Sequence, residues 1–512
     1  MRASGAWPDC DGERASGWGG ETRLRLPRNA TAGRRCLSDC QREAFWYVPP
    51  VSEFQAGSEP GSSEPITDTR ELAAYIRGGA KPRAEWRVGT EYEKVGVRRD
   101  SGAAAPFSGP QGIERVLQRL AEQYGWTPKL DRGRIIALYG RQANITVEPG
   151  GQLELSGEQC ESIHCAHSEL LEHMREILTV SEGLGIVFLG LGIQPLSAVD
   201  EIEWVPKRRY EIMGPYMLRV GRLGQRMMKQ TATVQANFDF GDDRDAIHKL
   251  RAAMGLVPLV SAMFANSSVS EGRLNGFMTL RGHIWTDTDA ARSGMLPFVF
   301  NPDCGIEDYV EYALDVPMYF IIRGGEYVEA TSITFREFMQ HGYRGERATL
   351  DDWALHLTTL FPEVRLKRYI EVRSADSQPP EMMLALPALM KGVLYEPDSL
   401  DAAWDLTRRW TWEERVELYH AAHRHGLKAK FRGIGLDDLA REVITIAASG
   451  LARQRQLNGN GEDERIYLDR LEELVRHGKS QGRLLAERWA GEWHQDIQKL
   501  IVHTSYRLPI AA

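Results

Sequence analysis

Strict alternation of apolar and polar residues, not helical spacing, marks the stretches around which this chain is organised. In residues 86–95, Trp-Arg-Val-Gly-Thr-Glu-Tyr-Glu-Lys-Val, a strand places Glu91 and Glu93 on one face, because successive strand side chains point to opposite sides. In residues 143–156 two alternating runs flank Pro149-Gly150-Gly151, a turn signal that predicts a hairpin. Ile145, Val147, Leu153 and Leu155 take its apolar side and leave Glu148 and Glu154 together on the polar side. Residues 231–240 alternate throughout, with Gln235 and Asn237 on the polar face opposite Val234, Ala236 and Phe238. Residues 369–373 set Glu371 and Arg373 opposite Ile370 and Val372.

Elsewhere the period changes. Residues 72–76 predict a short helix, and Ile113, Val116, Leu117 and Leu120 form the i, i+3, i+4, i+7 stripe of an amphipathic one. Helices are predicted at 168–183 and 244–264, a buried strand at 185–190, and a hairpin at 318–330 around Gly324-Gly325. Residues 277–285 alternate and predict a strand with Arg281, His283 and Trp285 on one side. Beyond Met382 the pattern is mainly helical, notably over 436–451 and 466–475. Strands and helices interleave early and helices dominate late, which predicts an α+β fold, a mainly antiparallel sheet backed by helices. Residues 1–65 are rich in Gly, Arg, Ser and Pro and lack periodicity, so they are expected to be a disordered leader or an over-extended start. A transit peptide is the competing reading for its Arg content, weakened by its Asp and Glu residues. Residues 66–512 then form the catalytic domain, helical from 382 onward.

Composition narrows the function. With 63 basic and 71 acidic residues the 512-residue chain is mildly acidic, which gives no footprint for nucleic acid or an anionic membrane. No stretch has the length of apolar residues that a membrane helix needs. Six cysteines, three of them (Cys10, Cys36, Cys40) in the leader, imply a reducing compartment, and the expected location is cytoplasmic. The cluster Cys160, His164, Cys165, His167 matches no standard zinc spacing and reads better as the polar start of a helix. Gly478-Lys479-Ser480 lacks the first glycine of a Walker loop, since Glu473 stands there, and no Gly-x-Ser-x-Gly elbow occurs.

If the alternating strands share one sheet with their polar faces together, Glu91, Glu93, Glu148, Glu154 and Glu371 crowd one surface. Two carboxylates about 7 Å apart repel by roughly 2 kcal/mol at an effective dielectric of about 20. Such a site binds cations or keeps its acids protonated. Oxygen-only ligands favour Mg²⁺ or Mn²⁺, whose shells are usually completed by substrate phosphates. Arg365, Lys367 and Arg373 supply positive charge for a transferring phosphoryl group, and Arg281 beside Trp285 offers a fork for a substrate carboxylate. The expected chemistry is that of a magnesium-dependent, nucleotide-using enzyme.

Four motifs carry a resemblance. Gly89-Thr90-Glu91-Tyr92-Glu93-Lys94, the run from Val147 to Gly157, the run from Arg281 to Asp289 and the run from Phe361 to Tyr369 resemble the plant-type glutamate–cysteine ligases, in the same order and over most of the chain from Thr67. The resemblance implies a glutamine-synthetase-like fold with a bowl-shaped sheet. It also implies ATP-dependent joining of L-glutamate to L-cysteine through a γ-glutamyl phosphate, the first step of glutathione synthesis. A related ligase with another acceptor amine is the alternative, and a divalent-metal-binding protein with a dead site is a reading from a different class. By resemblance, Glu91, Glu93, Glu148, Glu154 and Glu371 hold Mg²⁺, with Glu91, Glu371 and Arg373 catalytic. Gln235, Asn237, Arg365 and Lys367 meet the nucleotide, and Arg281 and Trp285 bind glutamate. The partners are small molecules, with the chain a monomer or homodimer. Cysteines of the plant redox switch fall on His167, Leu384 and Ala330, so no disulfide activation is expected.

Overall fold

The computed structural model describes residues 64–508; the expected leader, with Cys10, Cys36 and Cys40, lies almost wholly outside the described residues. Its centre is a nine-stranded sheet whose paired neighbours are antiparallel. The strands are β1 (Val88–Arg98), β2 (Thr127–Asp131), β3 (Arg134–Tyr139), β4 (Asn144–Val147), β5 (Leu153–Ser156), β6 (Ile186–Leu189) and β7 (Thr233–Phe238), followed by Val364–Leu366 and Ile370–Asp376. Spatially the order runs Val364–Leu366, Ile370–Asp376, β7, β1, β5, β4, β3, β2, with β6 paired to the far half of β1. The four polar-faced stretches expected to share a sheet therefore lie side by side.

Register decides what meets. Glu93 stands opposite Glu154, Glu91 opposite Gln235, and Glu371 opposite both Asn237 and Arg365. Directly opposed residues of an antiparallel pair project from the same face about 5 Å apart. The other face carries Tyr92, Leu153, Leu155, Val234, Ala236, Phe238, Ile370 and Val372, all buried. Helices α1 (Thr69–Arg77), α2 (Ile113–Tyr124), α3 (Ile163–Ser181), α4 (Arg208–Val220), α5 (Gly224–Gln230), α6 (Asp243–Met263) and α7 (Leu280–Trp285) surround the sheet. α3 packs on β1, α6 packs on the Ile370–Asp376 strand, and the helix Ala385–Leu394 packs on β7. Behind it, Ala385–Leu394 crosses Leu436–Gln454 backbone to backbone: a Cβ on Gly450 would lie 1.9 Å from the carbonyl oxygen of Gly392. From residue 380 to 504 the regular structure is helical apart from one two-stranded ribbon, Lys430–Phe431 with Ile434–Gly435.

Two expectations need correction. The alternating 277–285 stretch is not a strand: Thr279 caps a helix there, its hydroxyl accepting the Gly282 N–H at 3.0 Å. A capping threonine ahead of a polar-apolar run overrode the period of two. Helix α3 begins at Ile163, not 168, because the Ser162 hydroxyl accepts the Cys165 N–H at 3.2 Å. The hairpin around Gly324-Gly325 is present as Phe320–Arg323 with Glu326–Glu329.

Candidate active site

A cleft of about 830 Å³, open mouth included, lies over the polar face of the sheet. Glu91 and Glu93 from β1, Glu148 from the β4–β5 turn and Glu154 from β5 line one side. Arg281 and Trp285 from α7, with Arg365 and Arg373 from the two last strands, line the other. The β4–β5 turn is held by Gln152, whose side chain accepts the Gly150 N–H at 2.9 Å and donates to the Thr231 carbonyl at 2.7 Å. Gly150 is required because a Cβ there would sit 2.1 Å from the Lys229 carbonyl oxygen at the end of α5. Glu148 is thereby fixed over the cleft.

The carboxylates have few partners of their own. Glu91 accepts from Asn237 Nδ2 at 3.1 Å, Glu93 from the Thr233 N–H at 2.9 Å, and Glu154 from Ser156 Oγ at 2.6 Å. Burial first, and then the Glu148 charge, push Glu93 up to about 8, against the pull of Arg281, the Thr233 N–H and Arg373. Burial, then Glu91, Glu148 and Glu93, push Glu154 well above the usual carboxylate range, and burial followed by Glu371 raises Glu91. A cluster that must stay partly protonated when bare is a cluster suited to cations, and its all-oxygen donor set fits a hard divalent ion.

These shifts set a pH dependence. A carboxyl whose folded pKa lies above its unfolded value binds more protons in the folded state, so stability falls as pH rises between the two. For Glu93 that window runs from the ordinary carboxylate value up to about 8. Metal-free protein is accordingly expected to lose stability from about pH 5 to about pH 8. Glu93→Gln should flatten that slope, and urea unfolding at fixed ionic strength checks it; equal slopes for the two proteins would refute the assignment.

Glu371 does not join the other four. It is fully buried and does not line the cleft. Arg365 grips it with Nη2 at 2.7 Å from both oxygens and Nε at 3.0 Å from one, Lys367 Nζ lies 2.9 Å away, and Arg373 donates to Oε1. Burial alone would raise this carboxyl, but Arg365, Lys367 and Arg373 overcome it and hold it well below the usual range. The oxygens of Glu371, expected to hold metal, are engaged here by three cations, Arg365, Lys367 and Arg373. Arg373 extends from that cluster to hydrogen-bond Gln235 Oε1 at the cleft floor. Asn237 and Lys367 do not line the cleft, although Asn237 hydrogen-bonds Glu91, which does. On α7, Arg281 and Trp285 lie four residues apart and share a face, with the guanidinium 6.0 Å from the indole ring. His283 turns away and stacks on Phe277.

Sequence reasoning missed the end of the cleft made by Arg209, Tyr210, Met213, Met227 and Met228 from α4 and α5. The signal available was the density of methionine in 213–228 beside Lys207-Arg208-Arg209. It also missed that Cys160 and Cys165 form a disulfide, which takes both sulfurs out of the zinc reading. The buried Trp285 indole Nε1 has no hydrogen-bond acceptor among the described residues.

Residues 87–503 match the family model described as glutamate–cysteine ligase family 2. The chain belongs to that family. As a member it is a glutamate–cysteine ligase, an enzyme of glutathione biosynthesis. It is 42% identical over 461 residues to the chloroplastic glutamate–cysteine ligase of Brassica juncea, covering 90% of this chain and 87% of the relative. The chloroplastic enzyme of Arabidopsis thaliana is also 42% identical over 461 residues, covering 90% of this chain and 85% of the relative. Among solved structures, the Francisella tularensis glutamate–cysteine ligase determined with AMP aligns with a TM-score of 0.49 at 16% identity, covering 83% of this chain and 90% of that one. The cytoplasmic location expected for the ligase is overturned by its curated relatives, which are named as chloroplastic. Sparse cysteine reports redox conditions and not which membrane surrounds the protein. No helix of the described residues is long and apolar enough to cross a membrane.

Proposed function

We propose that the cleft binds L-glutamate, ATP and L-cysteine together and joins the first to the last through a γ-glutamyl phosphate. The observation that carries this reading is the division of one cleft into a wall of four carboxylates and a facing wall of guanidinium groups, set by strand register. Glu91, Glu93, Glu148 and Glu154 would hold divalent cations, Mg²⁺ or Mn²⁺, whose contribution is to neutralise phosphate charge. Arg281 would present its guanidinium fork to a carboxylate of glutamate, with the Trp285 ring beside it. That leaves the γ-carboxylate free to attack the terminal phosphorus of ATP, with the bond to the bridging oxygen breaking and ADP departing. Arg373 would compensate the charge spreading over the phosphoryl oxygens, with Gln235 fixing it against the floor. Arg365, whose N–H groups are taken by Glu371 and by the Thr358 and Leu360 carbonyls, would add only background charge.

The acyl phosphate makes the carbonyl carbon electrophilic. The cysteine amine then adds, inorganic phosphate leaves and the amine loses a proton. Tyr210, Met213, Met227 and Met228 give the open end a soft apolar lining suited to a small thiol side chain. Mass spectrometry of products from glutamate, ATP and a panel of amines tests the reading: γ-glutamylcysteine with equimolar ADP is expected. Faster turnover with another amine would reassign the acceptor, and no ADP release with any amine would remove the reaction from this cleft.

A further inference from the structure

Asp376 is 1% exposed, does not line the cleft, and yet collects the hydrogen bonds that start the glutamate-facing helix. Its Oδ1 accepts from the Thr279 hydroxyl at 2.8 Å, and its Oδ2 accepts from the Ser267 hydroxyl and the Asn266 N–H, both at 2.7 Å. Each hydroxyl in turn accepts a backbone donor at the beginning of α7. Ser267 Oγ takes the Arg281 N–H at 3.1 Å, and Thr279 Oγ1 takes the Gly282 N–H at 3.0 Å.

Burial raises the Asp376 carboxyl, while Arg281 and the hydrogen bonds from Ser267, Asn266 and Thr279 pull it down and favour the carboxylate, which sets the polarity of the relay. An ionised carboxylate only accepts, so both hydroxyl protons must point at Asp376 and both sets of lone pairs are left for the helix. The same strand closes the arrangement from its other end, because the Arg281 guanidinium donates to the backbone carbonyl of Arg373 at 3.1 Å. One strand, Ile370–Asp376, thus holds both the first turn and the side chain of the residue assigned to glutamate.

We propose that Asp376 is a positioning residue for glutamate recognition, fixing Arg281 and Trp285 relative to Arg373 through Thr279 and Ser267. This rests on the reading that Arg281 and Trp285 bind glutamate. The relay orders a helix that meets one substrate only, so its loss acts on glutamate before ATP or cysteine.

Steady-state kinetics of the full chain, with all three substrates varied, test it. Asp376→Asn is expected to raise the KM for glutamate about tenfold, the scale of one lost charge-assisted bond, and to move kcat and the KM for ATP by less than about threefold. Thr279→Val should shift the glutamate KM in the same direction, and Thr279→Ser, which keeps the hydroxyl, should stay near the parent. In an Arg281→Met background, itself raised in glutamate KM, Asp376→Asn should add little, since both act through one contact. An Arg281→Met protein with unchanged glutamate KM would overturn the pocket assignment, and this proposal with it. A raised KM in Arg281→Met but not in Asp376→Asn would overturn the positioning role alone, as would equal shifts for all substrates or an undiminished effect in the double variant. Should Asp376→Asn fail to fold, the Thr279 pair decides: Val and Ser behaving alike refutes the relay.

Discussion

Replacing Glu371 by Gln is expected to destabilise the protein by about 3–5 kcal/mol, the cost of leaving buried charge without its counterion. The carboxylate is in direct contact with Arg365, Lys367 and Arg373 alike, and it has no exposed surface through which water could compensate. Lys367, depressed to about 7 by burial and by Arg365 but supported by Glu371, would give up its proton first. A lower urea midpoint with loss of phosphate release is the expected pair of results. Partial recovery of the midpoint in Glu371→Gln/Lys367→Met would follow, because one cation fewer then needs a partner. An unchanged midpoint would mean that Glu371 is not the anchor of the wall.

Glu154→Gln should behave in the opposite way although it too removes a buried carboxylate. Burial and three neighbouring acids already favour the neutral form of Glu154 when the cleft is bare, so an amide costs little. The metal-free midpoint is expected to stay within about 1 kcal/mol of the parent, on the same or the higher side. What disappears is the response to Mg²⁺. The parent should gain about 2.7 kcal/mol at a hundredfold excess over Kd, and the variant much less. Turnover should fall by about 10²–10³, as when one preorganised charge-stabilising group is lost. Calorimetric Mg²⁺ titration and melting curves with and without the ion check this, and a variant as responsive as the parent would take Glu154 out of the metal-binding set.

The contrast between these two glutamates shows what the sequence could and could not reveal. Alternation placed Glu91, Glu93, Glu154 and Glu371 on polar faces correctly, since a period of two is a local property of each strand. Which face neighbours lie within reach of each acid depends on register and strand order, which are not local, and there Glu371 met Arg365 across a two-strand edge as well as Glu91 beyond β7. Helix α7 failed for a related reason. Arg281, His283 and Trp285 alternate as a strand would, but a capped start at Thr279 made them helical, and only the Arg281–Trp285 pairing survived because i, i+4 neighbours share a face as i, i+4 strand residues do. The methionine-lined end went unread because its residues come from two helices, α4 and α5, whose approach to the cleft is not a local property of either. Buried Lys94, whose Nζ donates to the Tyr92 carbonyl at 2.7 Å, was likewise invisible in a strand that otherwise alternates cleanly.

The touching backbones of Gly392 and Gly450 extend the territory that catalysis depends on well behind the cleft. One methyl group at that crossing would wedge two long helices apart, and the nearer one is the support on which the Gln235 strand rests. A saturation-mutagenesis map should therefore show two intolerant islands, one ringed by acids and arginines and another made of nothing but hydrogen atoms where side chains would be. The second would look inert to anyone inspecting the chemistry, and yet it sets the height of the floor on which that chemistry happens.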